Sequence, residues 1–197
     1  MSSYTISEAK QQLDDISPDL PLIDRMLKVA VIITKLTEDK KIHNNSIIVG
    51  GLSMEIHSHS FYTTQDIDFV TSASIKLKTI LKQLGFNDDN RVFIYEKLDV
   101  AVDIPDNALE FSESYDRLVK YYINETDYVY VVSVEDIILD RLEDYDYADT
   151  ENYTKYAITI NYIDLDVNYI RKEIGKRDKD ALNIFNKWLD EIEQQIK

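Results

Sequence analysis

The sequence predicts an α+β fold: a mixed β-sheet flanked by helices, followed by an α-helical C-terminal part. Apolar residues recur at helical spacing before about residue 40 and again after Ser133. Between them lie short apolar runs bounded by turn residues, the pattern of strands. From Asn152 onward the periodicity is helical throughout, with Trp188 and Ile192 continuing the apolar face of the last helix. Residues 1–143 therefore read as an α/β core with N-terminal helices, and 152–197 as a C-terminal helical region.

The elements follow in order. Ser7 to Ile16 reads as a short helix on Leu13 and Ile16. Ser17-Pro18 is a helix-start signal, serine as cap and proline at the first position. Leu22, Ile23, Met26, Leu27, Ala30, Ile33 and Leu36 then define a long helix from about Leu20 to Lys40. Asn44-Asn45 is a turn. Ser46 to Val49 is a buried strand, and Gly50-Gly51 leads into a helical segment, Leu52 to His57. Asp66 to Val70 is a second strand. Ser74 to Leu84 is an amphipathic helix that Gly85 ends. Asn87 to Asn90 reads as a polar turn. Val92 to Tyr95 and Leu98 to Ile104 form a hairpin, with Glu96-Lys97 at its tip. Arg117 to Ile123 and Tyr128 to Val132 form another strand pair. Ser133 with Glu135 and Asp136 is a capping signature before a helix running to about Glu143. Glu143 to Glu151, EDYDYADTE, reads as a solvated connection.

Composition narrows the function classes. The net charge of −15 repels polyanions, and no dense Lys/Arg run offsets it. Nucleic acid is disfavoured as a partner, whereas a nucleotide neutralised by metal is acceptable. The absence of cysteine excludes disulfides, thiolate catalysis and zinc-thiolate sites. No signal pattern opens the chain, and the longest apolar run, Val29 to Ile33, is too short to span a bilayer. A cytoplasmic location without membrane contact is expected. The wealth of Ile, Lys, Asn and Tyr suggests a low-GC bacterial source.

The chemistry concentrates in Ile47 to Val70, IIVGGLSMEIHSHSFYTTQDIDFV. Side chains alternate along a strand, so Asp66 and Asp68 share one face while Ile67 and Phe69 take the other. At ~4 Å and an effective dielectric of about 20, two carboxylates repel by on the order of 4 kcal/mol. A hard, oxygen-ligated cation such as magnesium relieves that repulsion. The Gly50-Gly51 pair lets backbone approach a phosphate, because no Cβ blocks it and its N–H groups can face oxygens. Ser53 follows as a hydroxyl that either bonds a phosphate or simply fits a helix.

Gly50-Gly51, a spacer, and Asp66-Ile67-Asp68 between apolar neighbours resemble the signature of the nucleotidyltransferase superfamily, which has the polymerase β-like fold. In detail VGGLSMEIH…YTTQDIDFV looks like the bacterial minimal nucleotidyltransferase branch, which includes the abortive-infection toxin type. Leu84-Gly85-Phe86, LDVAVDIP and SVEDIILDRL continue the resemblance in order, to Leu142. It implies Asp66 and Asp68 as metal ligands and catalytic residues, Mg2+ as cofactor and an NTP as substrate. It further implies Gly50, Gly51 and Ser53 around the nucleotide, and a third acid on a neighbouring strand. Asp99 and Asp103 lie four apart in one predicted strand and both can face the same side. Asp103, flanked by Val102 and Ile104, is preferred by pattern, and Asp106 is read as a turn residue.

Other residues weigh toward ordinary roles. His57 and His59 form an H-x-H without further Cys or His to complete a site. Thr64 either contacts phosphate or caps the strand. Arg141 either reaches the nucleotide or pairs with a carboxylate. Lys155 is read as solvated rather than as an acceptor-site cation. The expected function is Mg-dependent transfer of NMP from an NTP to a hydroxyl on a protein, an RNA end such as that of tRNA, or a small molecule. The resemblance implies a toxin–antitoxin or defence setting, with a protein partner. Many relatives carry an acid and a glutamine where this chain has Tyr153 to Ala157. That departure supports the alternative of a catalytically silent nucleotidyltransferase-fold protein binding a nucleotide or partner. An adenylyltransferase acting on aminoglycoside-type small molecules is a third reading.

Overall fold

A computed structural model describes residues 4–89, 92–111, 115–147 and 149–196. The chain divides into two compact units: residues through Leu52 together with Thr64–Val132, and Ser53–Thr63 together with the chain from Ser133 onward.

In the first unit, α1 (Ile6–Asp14) starts at a capping box. Thr5 Oγ1 accepts from Glu8 N, and the Glu8 carboxylate accepts from Thr5 N. The next helix, α2 (Leu22–Thr37), starts later than Ser17-Pro18 predicts. Ser17 Oγ accepts from Asp19 N at 3.3 Å, so the serine closes a local turn. Pro21 then occupies the cap position, where its missing N–H costs nothing. Helix α2 is buried over most of its length, from Met26 to Thr34, and it packs on the sheet.

A 3-10 turn at Ile42–Asn44 leads into β1 (Ile47–Val49), followed by α3 (Gly50–His57) and β2 (Asp66–Val70). Helix α4 (Ser74–Leu84) ends where Gly85 takes φ 97° and returns its N–H to Lys82 O at 3.1 Å. Next come β3 (Asn87–Asp89), β4 (Val92–Tyr95), a 3-10 turn at Glu96–Leu98, β5 (Val100–Asp103), β6 (Val119–Tyr122) and β7 (Tyr128–Val131). The described strands form one sheet in the order β3-β4-β5-β2-β1-β7-β6. Its centre is mixed: β1 runs antiparallel to β2 and parallel to β7, while β2 and β5 are parallel. The α+β class and the flanking helices are as the sequence predicts.

Two details differ. Asn87 to Asp89 forms an edge strand instead of a turn, pairing antiparallel with Val92 to Ile94. Asn and Asp disfavour strands, but an edge strand exposed on both faces needs only backbone pairing. Asn90, the last residue of that predicted turn, lies outside the described residues. The second hairpin strand is also shorter than Leu98 to Ile104, because Asp99 ends the 3-10 turn at φ 51°, in the left-handed region.

The second unit is helical: α5 (Val134–Glu143), α6 (Thr150–Asn161), α7 (Val167–Arg177) and α8 (Lys179–Ile196). Ser133 caps α5, its Oγ accepting from Asp136 N at 3.1 Å. Trp188 and Ile192 of α8 are buried as predicted, together with Phe185 and Leu189. No helix among the described residues is long and apolar enough to cross a membrane.

Candidate active site

Two strands of the first unit carry the acids. Ile67 and Phe69 of β2 and Val100 and Val102 of β5 are fully buried, which turns Asp66, Asp68 and Asp103 to the opposite, half-buried side. The parallel register sets Asp68 directly beside Asp103, and Asp66 beside Ala101. Neighbouring strands lie ~4.8 Å apart, whereas residues two apart along one strand lie ~6.6 Å apart. The closest backbone pairing of acids is therefore Asp68 with Asp103 across strands, not Asp66 with Asp68 along one.

Asp99 stands outside β5, held in its left-handed turn. The preceding turn is tied down by Arg25, which donates Nε to Leu20 O at 3.1 Å and Nη1 to Leu98 O. Asp103 thus belongs to the strand beside β2 and Asp99 does not, whereas the sequence pattern alone puts both on one strand.

Gly50 and Gly51 are required by close approach. Gly50 opens α3 at φ 56°, and a Cβ there would sit 2.2 Å from Asp68 Oδ2 and 3.0 Å from its Cγ. A Cβ on Gly51 would sit 2.4 Å from Thr64 Oγ1. The glycine pair therefore brings the start of α3 against the Asp68 carboxylate and the Thr64 hydroxyl. Thr64 in turn donates its hydroxyl to Asp66 Oδ1 at 3.0 Å. The sequence leaves the role of Thr64 open. Its position two residues before the first acid was the available signal.

The other end of β2 is anchored to the turn before β1. Thr71 Oγ1 donates to Asn44 O at 3.0 Å, Ser72 Oγ donates to Asn44 Oδ1 at 2.7 Å, and Ser72 N donates to His43 O at 2.9 Å. These bonds hold the β1–β2 register, which pairs Val49 with Asp68. That register brings the strand end carrying the glycines to the acid.

Magnesium suits the donor set, three carboxylates with a backbone free of Cβ beside one of them. As placed, the side chains do not converge: among the described residues no three acid or imidazole groups form a metal-holding cluster. Asp66 Oδ1 accepts from Thr64, and Asp103 Oδ1 accepts from Ile104 N at 2.7 Å. The three carboxylates share a face, and holding one ion between them would require them to rotate.

The remaining candidates fall in the second unit. Ser53 is fully buried in α3. His57 ends α3, where its carbonyl accepts from Asn161 Nδ2 at 3.0 Å, and His59 has φ 49° in the following loop. Arg141 lies 3.5 Å from Asp140 Oδ2, an ion pair. Lys155 donates to Glu151 at 3.2 Å and also to Glu191, which raises its pKa above the ordinary lysine value. Glu191 is the larger cause of that shift.

The first unit thus combines a mixed sheet, a glycine-led helix start packed on Asp68, and Asp66 and Asp103 on the same sheet face as Asp68. The family model described as “Nucleotidyltransferase of unknown function (DUF6036)” matches residues 24–193, and the chain belongs to that family. A search of curated proteins finds no match, and neither does a search of solved structures.

Proposed function

We propose that this chain is a magnesium-dependent nucleotidyltransferase that moves an NMP group from an NTP to a hydroxyl acceptor. The carrying observation is the in-register placement of Asp68 beside Asp103, with Asp66 on the same face and Gly50 packed on Asp68. Family membership supports the nucleotide substrate.

Asp66, Asp68 and Asp103 are the residues that would hold magnesium. When bound, the ion supplies charge neutralisation for the triphosphate and polarisation of the reacting oxygens. The protein's own contribution is largely positioning. The N–H groups at the start of α3 would orient phosphate oxygens beside Asp68 and Thr64, against which Gly50 and Gly51 pack. The acceptor oxygen forms its bond to the α-phosphorus as the bond to pyrophosphate breaks, and the hydroxyl proton passes to the Asp103 carboxylate. Thr64 orients Asp66 through their hydrogen bond. The acceptor is a protein side chain, an RNA end or a small molecule, and a toxin–antitoxin or defence role accords with the resemblance of the glycine and acid motifs.

The test is incubation with each labelled NTP, magnesium and cell lysate, with calorimetry of NTP binding alongside. Transfer by the wild type and its loss in Asp66→Ala/Asp68→Ala is the expected result. The silent alternative draws on the carboxylates as placed, which are turned onto Thr64 and Ile104 N instead of converging. NTP binding that is absent, or unchanged in the double variant, would decide for it.

A further inference from the structure

We propose that a cleft lying wholly within the second unit binds a small organic cation, an alkylammonium or guanidinium head group. The cleft has a volume of about 350 Å³ and is lined by Phe61, Tyr62, Thr63, Asp149, Asn152 and Tyr153. That volume lies at the lower end of the range for small-molecule sites, ~300–1,000 Å³.

Its walls are aromatic and braced. Phe61 stacks on Tyr156, with ring centroids 4.0 Å apart and planes 12° apart. Tyr62 meets Tyr153 edge-on at 4.8 Å. The loop that presents Phe61 and Tyr62 is fixed from behind, where Ser58 Oγ accepts from Tyr62 N at 3.1 Å. Phe61 nevertheless remains 55% exposed, so a large ring is held open to solvent by its own packing. Aromatic faces carry negative quadrupole density and attract cations.

The acid is equally specific. Asp149 occupies the cap position of α6 in the left-handed region, φ 66°, yet its side chain makes no capping hydrogen bond. An aspartate at this position ordinarily caps the helix. Here the carboxylate stays uncommitted to the helix, and the residue lines the cleft.

Charge decides the sign of the ligand. Among the described residues no lysine or arginine lines the cleft. The adjoining stretch Glu143 to Glu151 holds five acids and no basic residue. Lys155, one turn further along α6, is engaged by Glu151 and Glu191. A phosphate or carboxylate ligand would face the Asp149 carboxylate with no cationic side chain among the described lining residues to offset it, and an apolar neutral ligand would desolvate Asp149 without compensation. A cation gains from both the rings and the carboxylate, and the acidic flank steers it inward.

The test uses the full chain, with tetramethylammonium and agmatine as probes and tert-butanol as the neutral counterpart of similar shape. Binding is read by calorimetry and by saturation-transfer NMR. Both cations are expected to bind and tert-butanol not to. Asp149→Asn and Tyr153→Ala are each expected to weaken binding by about fivefold or more, the order of one cation–π or charge contact. Asn tolerates both the left-handed conformation and the cap position, so Asp149→Asn preserves the helix start. Asp66→Ala/Asp68→Ala is expected to bind the cations as the wild type does, which separates this site from the nucleotide reading. Equal binding of tert-butanol, full affinity in Asp149→Asn, or displacement of the cation by AMP would each overturn the proposal.

Discussion

Replacing Gly50 with alanine tests the close approach of α3 to Asp68 more directly than any charge substitution. The perturbation has two separable parts. Gly50 has φ 56°, and an L-residue forced into the left-handed region costs roughly 1–2 kcal/mol. The new Cβ also falls 2.2 Å from Asp68 Oδ2 and 3.0 Å from Asp68 Cγ, an overlap that something must relieve. Overpacking of this kind costs typically about 1–3 kcal/mol. The expected destabilisation is therefore about 3 kcal/mol in urea unfolding followed by circular dichroism. In an Asp68→Ala background the carboxylate is gone and only Asp68 Cβ, 3.3 Å away, remains near the new methyl. There the cost of Gly50→Ala should fall to the backbone part, about 1–2 kcal/mol. A loss below about 0.5 kcal/mol in the wild-type background, or equal losses in both backgrounds, would refute the packing of Gly50 on Asp68.

Three further outcomes are expected. Gly51→Ala should cost about 1–3 kcal/mol by overpacking against Thr64, and it should lower NTP affinity more than Thr64→Ala does, measured by calorimetry. Ser133→Ala should destabilise by about 1 kcal/mol through loss of the α5 cap, with Ser133→Asp largely restoring the urea midpoint. The Lys35 ammonium, 2.7 Å from Asp127, and then the Asn124 amide hold the Asp127 carboxyl below the usual carboxylate range. A depressed folded-state pKa contributes stability above the unfolded value of about 3.9 and loses it as pH falls through the folded value. Asp127→Asn should thus lower the urea midpoint at neutral pH, and its gap to wild type should close in acid below about pH 4; a gap constant with pH would contradict the pairing.

Much of the fold is legible because it rests on local pattern. The apolar spacing of α2 and α8, the cap at Ser133 and the glycine stop at Gly85 each act within a few residues of themselves. The departures have different causes. Asn87 to Asp89 has turn chemistry, yet it pairs because β4 offers an open edge. Ser17-Pro18 has helix-start chemistry, yet Pro21 takes the cap after a local turn. At the first place a neighbouring strand overrides what the residues favour alone; at the second the serine's own turn delays the helix.

The site divides the same way. By itself the sequence determined that Asp66 and Asp68 share a strand face and that a glycine pair precedes them, since strand alternation and the absence of a Cβ are local properties. Only the tertiary structure decided which acid stands beside them. Asp99 and Asp103 are equivalent by strand alternation, but a left-handed residue at Asp99 delays the start of β5 to Val100, and Asp103 is the register partner of Asp68. The contacts of Gly50 with Asp68 and of Gly51 with Thr64 likewise depend on the antiparallel β1–β2 pairing, a relation between segments some twenty residues apart that no local pattern encodes.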